Sequence, residues 1–178
     1  MIDYRNVSKA IDYYERCGFR YVEVPWVVSD DAINVTLPAG AVATRCQFGP
    51  LVGSAEQSFI HMMQRDELRP GRYCAASPCF RDEPVLTELT RRTFFKVELI
   101  DFGDPDPVAT THDLMQTALS FYRGLPGGFT AEPLPTREGV DICLGGIELG
   151  SYGYREWGPF RWVYGTGYAD PRFTSASG

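Results

Sequence analysis

Residues 80–103 read FRDEPVLTELTRRTFFKVELIDFG, and they decide the fold. Two strand-like runs, roughly 72–83 and 93–102, flank a polar loop over 84–92, which predicts an antiparallel hairpin. Its loop is longer than a tight turn requires, and long hairpin loops usually carry function. Side chains alternate between faces along a strand. Arg81 and Glu83 therefore share one face, while Phe94, Lys96 and Glu98 share another across the hairpin. A guanidinium presents forked donors that match phosphate oxygens, and a flat ring stacks on a nucleobase, so these strands hold the parts to grip a nucleotide. The competing reading is a surface hairpin with solvated charges and core phenylalanines.

Outward from the hairpin the chain alternates helices and strands. SAEQSFIHMMQRDEL (54–68) opens with Ser54 and has Gln57 three residues on, the spacing of a capping box, ahead of Phe59, Ile60 and Met63. Over 7–17, Val7, Ile11 and Tyr14 fall on one helical face behind an Asn6 cap, and Gly18 ends the helix. FRYVEVPWVV (19–28) alternates as a strand, but Pro25 cannot donate to a ladder, which predicts an edge strand or a stop at that residue. Residues 29–50 predict loop with a short strand. Asp106 and Pro107 open a helix whose face is Val108, Thr111, Met115, Ala118, Leu119 and Tyr122, ending at Gly124. A Gly/Pro connector follows, then two or three strands and a short terminal helix after Pro171. Grouped strands with helices between some of them fit α+β with a largely antiparallel sheet.

Composition narrows the function. With 178 residues and 44% hydrophobic content the chain predicts a single globular unit over residues 1–178. Lys and Arg total 17 against 23 acidic residues, a net charge of −6, so there is no overall basic field for nucleic-acid phosphates, and an anionic ligand must be held locally. Cys17, Cys46, Cys74, Cys79 and Cys143 are odd in number and form no CxxC pair, which argues against a disulfide framework or a zinc site. No run approaches the ~18 apolar residues of a membrane span, and the N-terminus lacks an apolar leader core. These features predict a cytoplasmic protein with no membrane partner.

SPCFRDEP…RRTFFKVEL resembles motif 2 of the class II aminoacyl-tRNA synthetases: FRxE, a variable loop, then phenylalanine four residues before an acidic residue. By that resemblance Arg81 binds the ATP α-phosphate, Glu83 lies near the adenine and amino-acid ends, Phe94 stacks on adenine, and Arg91 or Arg92 reaches the outer phosphates. GFRYVEVPWV resembles motif 1, the helix–strand unit that builds the family's dimer interface, with Pro25 in place, and so implies a homodimer. YGTGYADPR resembles motif 3, with Gly165, Gly167 and Arg172 matching and Ala169 in place of the third glycine. Small residues there let backbone approach the nucleotide, and Arg172 opposite Phe94 would sandwich the base. DICLGGIELGSYGYR resembles the segment that aspartyl, asparaginyl and lysyl members use for metal and substrate. Asp141, Glu148 and Ser151 match positions that hold Mg²⁺ on the ATP phosphates or sit beside them, and Arg155 matches the residue that binds a substrate carboxylate in the aspartyl type. GSAEQ resembles the amino-acid loop, with Ser54 in it and Glu56 facing the substrate ammonium. The bland readings are a strand-face charge for Glu148 and a simple helix cap for Ser54. His61 and His112 read as structural.

The resemblance implies a class II synthetase-like antiparallel sheet flanked by helices. It further implies a ligase that joins ATP and an amino acid into an aminoacyl-adenylate, with an aspartate-like lean. Phe59 stands where the aspartyl type carries lysine, and Pro171 replaces the usual acidic residue before Arg172. The family's long terminal helix is not expected, nor an anticodon-binding domain. The acceptor is a tRNA end or another acyl acceptor, such as a protein or a small molecule. The alternatives are a non-catalytic paralogue acting as a nucleotide or amino-acid sensor or as a dimerisation partner, and a plain structural protein.

Overall fold

The computed structural model describes residues 2–83 and 85–178. Its centre is the hairpin: β4 (Gly71–Phe80) pairs antiparallel with β5 (Thr93–Phe102) along its whole length, from Gly71 opposite Phe102 to Phe80 opposite Thr93. The predicted first strand ran to residue 83, but β4 ends at Phe80. Phe80 N donates to Val52 O (2.8 Å) and Arg81 Nε to Gly53 O (3.1 Å), so the chain beyond Phe80 turns toward residues 52–53. Arg81 N still reaches Arg92 O (2.9 Å) and closes the base of the loop, of which Pro84 lies outside the described residues. Arg81 and Glu83 therefore belong to the loop, and no shared strand face holds them.

Around this pair a seven-stranded sheet assembles in the order β1-β4-β5-β9-β8-β7-β6. Its other members are β1 (Arg20–Tyr21), β6 (Glu132–Pro135), β7 (Val140–Leu144), β8 (Ile147–Trp157) and β9 (Phe160–Asp170). All neighbours are antiparallel except the edge pair β1 and β4. The strand expected over 19–28 shrinks to β1 and an isolated bridge at Val27. Pro25 offers no donor, and its carbonyl accepts from Ser58 Oγ (2.7 Å) instead of a strand.

Helices cover both faces. α1 (Tyr4–Arg16), α4 (Pro107–Gly124) and α5 (Arg172–Ser177) pack on one face, where Tyr14, Leu99, Leu114, Tyr122, Tyr152 and Tyr168 share a core. The cap of α1 is Asp3, whose Oδ1 accepts from Arg5 N (3.0 Å); Asn6, the expected cap, lies inside the helix. On the other face lie α2 (Asp30–Thr36) and α3 (Ala55–Gln64), with Ile33, Phe59, Ile60, Ile100 and Trp162 as their core. α2 falls where a loop was expected. Ser29 Oγ accepts from Ala32 N (3.3 Å), and Asp30 and Asp31 sit in its first turn, where acidic residues favour the helix dipole. A second small pair, β2 (Arg45–Cys46) and β3 (Gly49–Pro50), follows α2. Among the described residues no helix is long and apolar enough to cross a membrane.

Candidate active site

A cavity of about 790 Å³ opens on the α2/α3 face of the sheet. Of the residues singled out by sequence it gathers Ser54, Glu56, Arg81 and Glu83 from the α3 start and the hairpin loop. From the last strands and α5 it takes Glu148, Ser151, Arg155, Gly165 and Arg172. A smaller pocket shares Arg81, Glu83 and Arg172 with it and adds Phe94 and Arg91. Arg92, Asp141 and Gly167 line neither. Both loop arginines are exposed, and of the two only Arg91 lines the smaller pocket.

The inner end is a set of mutually satisfied charges. Arg155 Nη1 donates to Glu56 Oε1 at 2.6 Å, Trp162 Nε1 donates to the same oxygen at 2.8 Å, and the guanidinium lies 4.1 Å from the Tyr164 ring centroid. Burial pushes the Glu56 carboxyl above the ordinary glutamate range, and the Arg155 charge pulls it partly back. Beside it Glu98 accepts from Ser54 Oγ (2.8 Å), from Ala55 N and from Lys96 Nζ (3.3 Å). Ser54 does two jobs: its Oγ also accepts from Glu56 N (3.1 Å) and caps α3. The capping box is displaced by one residue, since Gln57 Oε1 accepts from Gly53 N (2.8 Å) rather than from the cap itself. Arg155 and Glu56, expected to meet a substrate carboxylate and the substrate ammonium, are each other's counter-ions.

At the outer end Arg172 Nη1 donates to Glu148 Oε1 (2.6 Å), and Ser151 Oγ donates to the same oxygen at 3.5 Å. Residues three apart on a regular strand face opposite ways. The β7–β8 register shifts after Ile142, which pairs with Gly150 while Cys143 pairs with Glu148, so Leu149 is the extra residue of a bulge. That bulge turns Glu148 and Ser151 to the same side. Asp141 faces Ser151 across the ladder, outside the cavity wall, with its carboxyl pushed up by burial and eased by the Ser151 hydroxyl. Among the described residues no group of three His, Cys, Asp or Glu side chains is placed to hold a metal ion. Glu148 and Ser151 are hard-oxygen side chains of the kind Mg²⁺ takes with phosphates and water, and the Glu148 oxygen they share is occupied by Arg172.

The pocket between Phe94 and Arg172, where the resemblance places the base, is closed in this conformation. Arg81 lies over the Phe94 ring, 5.0 Å from its centroid, and the pocket between Phe94 and Arg172 measures about 30 Å³, enough for water and too small for a purine. The motif 3 glycines allow close packing against the helices of the opposite face, while Gly165 also lines the cavity. A Cβ on Gly165 would stand 2.3 Å from Leu114 Cδ2, and one on Gly167 would stand 2.6 Å from Tyr14 Cε2, both on the α1/α4 side. Gly167 is also the extra residue where Val97 pairs with Tyr168 and Glu98 with Thr166, and its carbonyl accepts from Tyr14 Oη (2.8 Å). His61 Nδ1 sits 3.2 Å from Ser29 Oγ and joins α3 to the α2 cap, whereas His112 is exposed on α4; neither lines the cavity.

Sequence reasoning assigned no role to Lys96, Thr166, Tyr164 or Glu98, although the alternation with Phe94 had already put Lys96 and Glu98 on one face. Lys96 Nζ bridges Glu98 and Thr166 Oγ1 (3.4 Å) and ties β5 to β9 at the cavity floor. The wall over 36–43 carried no readable signal, because it is a short helix end and a loop of small residues.

No family model matches this sequence, and no curated protein does. Solved structures do match its fold. Seryl-tRNA synthetase from Pyrococcus horikoshii, complexed with ATP, superposes with a TM-score of 0.70 at 16% identity, covering 94% of this chain and 48% of that one. A pyrrolysyl-tRNA synthetase of Desulfitobacterium hafniense gives 0.72 at 18% identity, covering 96% and 66%. Cytoplasmic serine-tRNA ligase from Naegleria fowleri, in complex with AMP, gives 0.69 at 14%, covering 96% and 47%. The chain spans about half the length of the two seryl enzymes and about two thirds of the pyrrolysyl one. At these identities the likeness establishes the fold: α+β, of the class II aminoacyl-tRNA synthetase type. None of these three is an aspartyl, asparaginyl or lysyl enzyme, the subgroup that the late segment resembles.

Proposed function

We propose that this chain activates an amino acid with ATP, forming an aminoacyl-adenylate and releasing pyrophosphate. The observation that carries the reading is the convergence of Arg81 and Arg172 on one cavity whose inner end is lined by Glu56 and Glu98. The amino acid lies at that inner end. Among the described residues Glu56 Oε2 accepts from Arg155 alone, which leaves it a lone pair for the substrate ammonium. ATP lies across the outer end, its α-phosphate at Arg81.

One substrate carboxylate oxygen attacks the α-phosphorus in line, the new P–O bond forms as the bond to the β-phosphate bridging oxygen breaks, and pyrophosphate leaves with that electron pair. The carboxylate is already ionised, so no general base is required. Arg81 neutralises charge that builds on the α-phosphoryl oxygens, and positioning supplies much of the remaining acceleration. Glu148 and Ser151 are the side chains that would hold Mg²⁺, which when bound neutralises phosphate charge. For the base to enter, Arg81 leaves the Phe94 ring for the phosphate, and Arg172 leaves Glu148 to lie against the base.

Amino-acid-dependent ATP–pyrophosphate exchange tests the proposal. Wild type should exchange, and Arg81→Ala should lose at least about 100-fold, the scale of deleting one donor to a developing oxyanion. Normal exchange by Arg81→Ala refutes the assignment. Thermal stabilisation by ATP without exchange for any amino acid would select a second reading, a nucleotide sensor without chemistry.

A further inference from the structure

We infer that the inner end of the cavity takes an amino acid with an uncharged, apolar side chain, an inference that rests on the activation reading above. Three polar systems line that end, and each is already paired. Glu56 is held by Arg155 and Trp162, and Glu98 by Ser54, Ala55 N and Lys96. The Gln57 amide accepts from Gly53 N (2.8 Å) and donates to Ile33 O (3.4 Å). The same cavity is also lined by apolar side chains: Ile33, Leu37, Ala41 and Ala43 from α2 and the loop after it, and Leu51 just after β3.

Each charged class of substrate meets a specific cost here. A carboxylate side chain reaching for Arg155 competes with Glu56 for a single guanidinium charge and leaves the buried end net negative, and a cationic side chain reaching for Glu56 competes with both Arg155 and the substrate ammonium. Removing one member of a buried pair is far costlier than never forming it. An apolar side chain disturbs none of the three systems and covers the α2 wall. This reverses the aspartate expected from the position of Arg155, because that arginine is already neutralised.

Two measurements test the inference separately from the reading beneath it. Exchange with all twenty amino acids reads turnover, and calorimetry of the same amino acids with a non-hydrolysable ATP analogue reads binding alone. An apolar amino acid should be best in both, preferred over aspartate and lysine by about 100-fold or more, the scale set by breaking a buried pair. Glu56→Gln, which keeps the Trp162 hydrogen bond but frees Arg155, should narrow the gap to aspartate at least about tenfold. A charged or polar amino acid ranking first overturns the inference and leaves activation standing. Preferential binding of apolar amino acids without exchange supports the pocket assignment and removes the activation reading. Binding of none overturns both.

Discussion

Two arginine–glutamate pairs stand at opposite ends of one cavity, and they differ in their acids rather than their bases. The arginines are alike, with Arg155 33% and Arg172 31% exposed, whereas the Glu56 side chain is 11% exposed and Glu148 44%. A well-solvated carboxylate gives up its partner cheaply, and a buried one does not. Trp162 Nε1 and the Tyr164 ring add to the inner pair, while among the described residues the outer pair is joined only by the Ser151 hydroxyl and a second Arg172 contact to Glu148 O (3.3 Å). The inner pair is thus a fixed wall, and the outer pair is a contact that a nucleotide can part. Chemistry of the proposed kind uses both: a rigid seat for one substrate and separable charges for the other.

The largest effect that separates the two ends is on stability. Arg155→Met leaves the Glu56 carboxylate buried and unpaired, and urea denaturation should show a loss of about 3 kcal/mol, the low end for a broken buried pair because Arg155 is one-third open. A loss below about 0.5 kcal/mol would put the inner pair in the same class as the outer one. Arg172→Ala should cost less than about 1 kcal/mol in the same assay, while raising the KM for ATP in exchange. An Arg172→Ala variant that unfolds readily would mean the outer pair is structural.

The smallest effect is a slope. Burial is the leading cause that lifts Glu56 above the ordinary glutamate value of 4.5, with Arg155 opposing it. A carboxyl whose folded pKa exceeds its unfolded one binds more protons in the native state through that interval, so its contribution is full below the unfolded pKa and is lost as pH rises through the folded one. Glu56→Gln should therefore flatten the fall in stability as pH rises from 4.5 toward neutrality, measured by denaturation across that range. An unchanged slope would show that Glu56 titrates as an ordinary exposed carboxylate.

The hairpin was legible because both of its strands and its long loop left marks in the sequence, and the helices after Ser54 and Asp106 announced themselves through caps. α2 did not, since seven residues bury only Ala32 and Ile33 and make no periodic stripe. The candidate site was legible as a list of residues but not as a set of pairs. Glu56 and Arg155 stand far apart in the chain, and nothing local records that they meet. The bulge at Leu149, which brings Glu148 and Ser151 to one side, is likewise a property of the β7–β8 register rather than of either strand alone.

The account is tested most directly by a crystal structure with ATP and the preferred amino acid bound. It should show the nucleotide between Arg81 and Arg172, with Arg172 withdrawn from Glu148 and Phe94 against the base, while Arg155 remains on Glu56. A nucleotide bound elsewhere, or an amino acid seated on an Arg155 that has left Glu56, would contradict it.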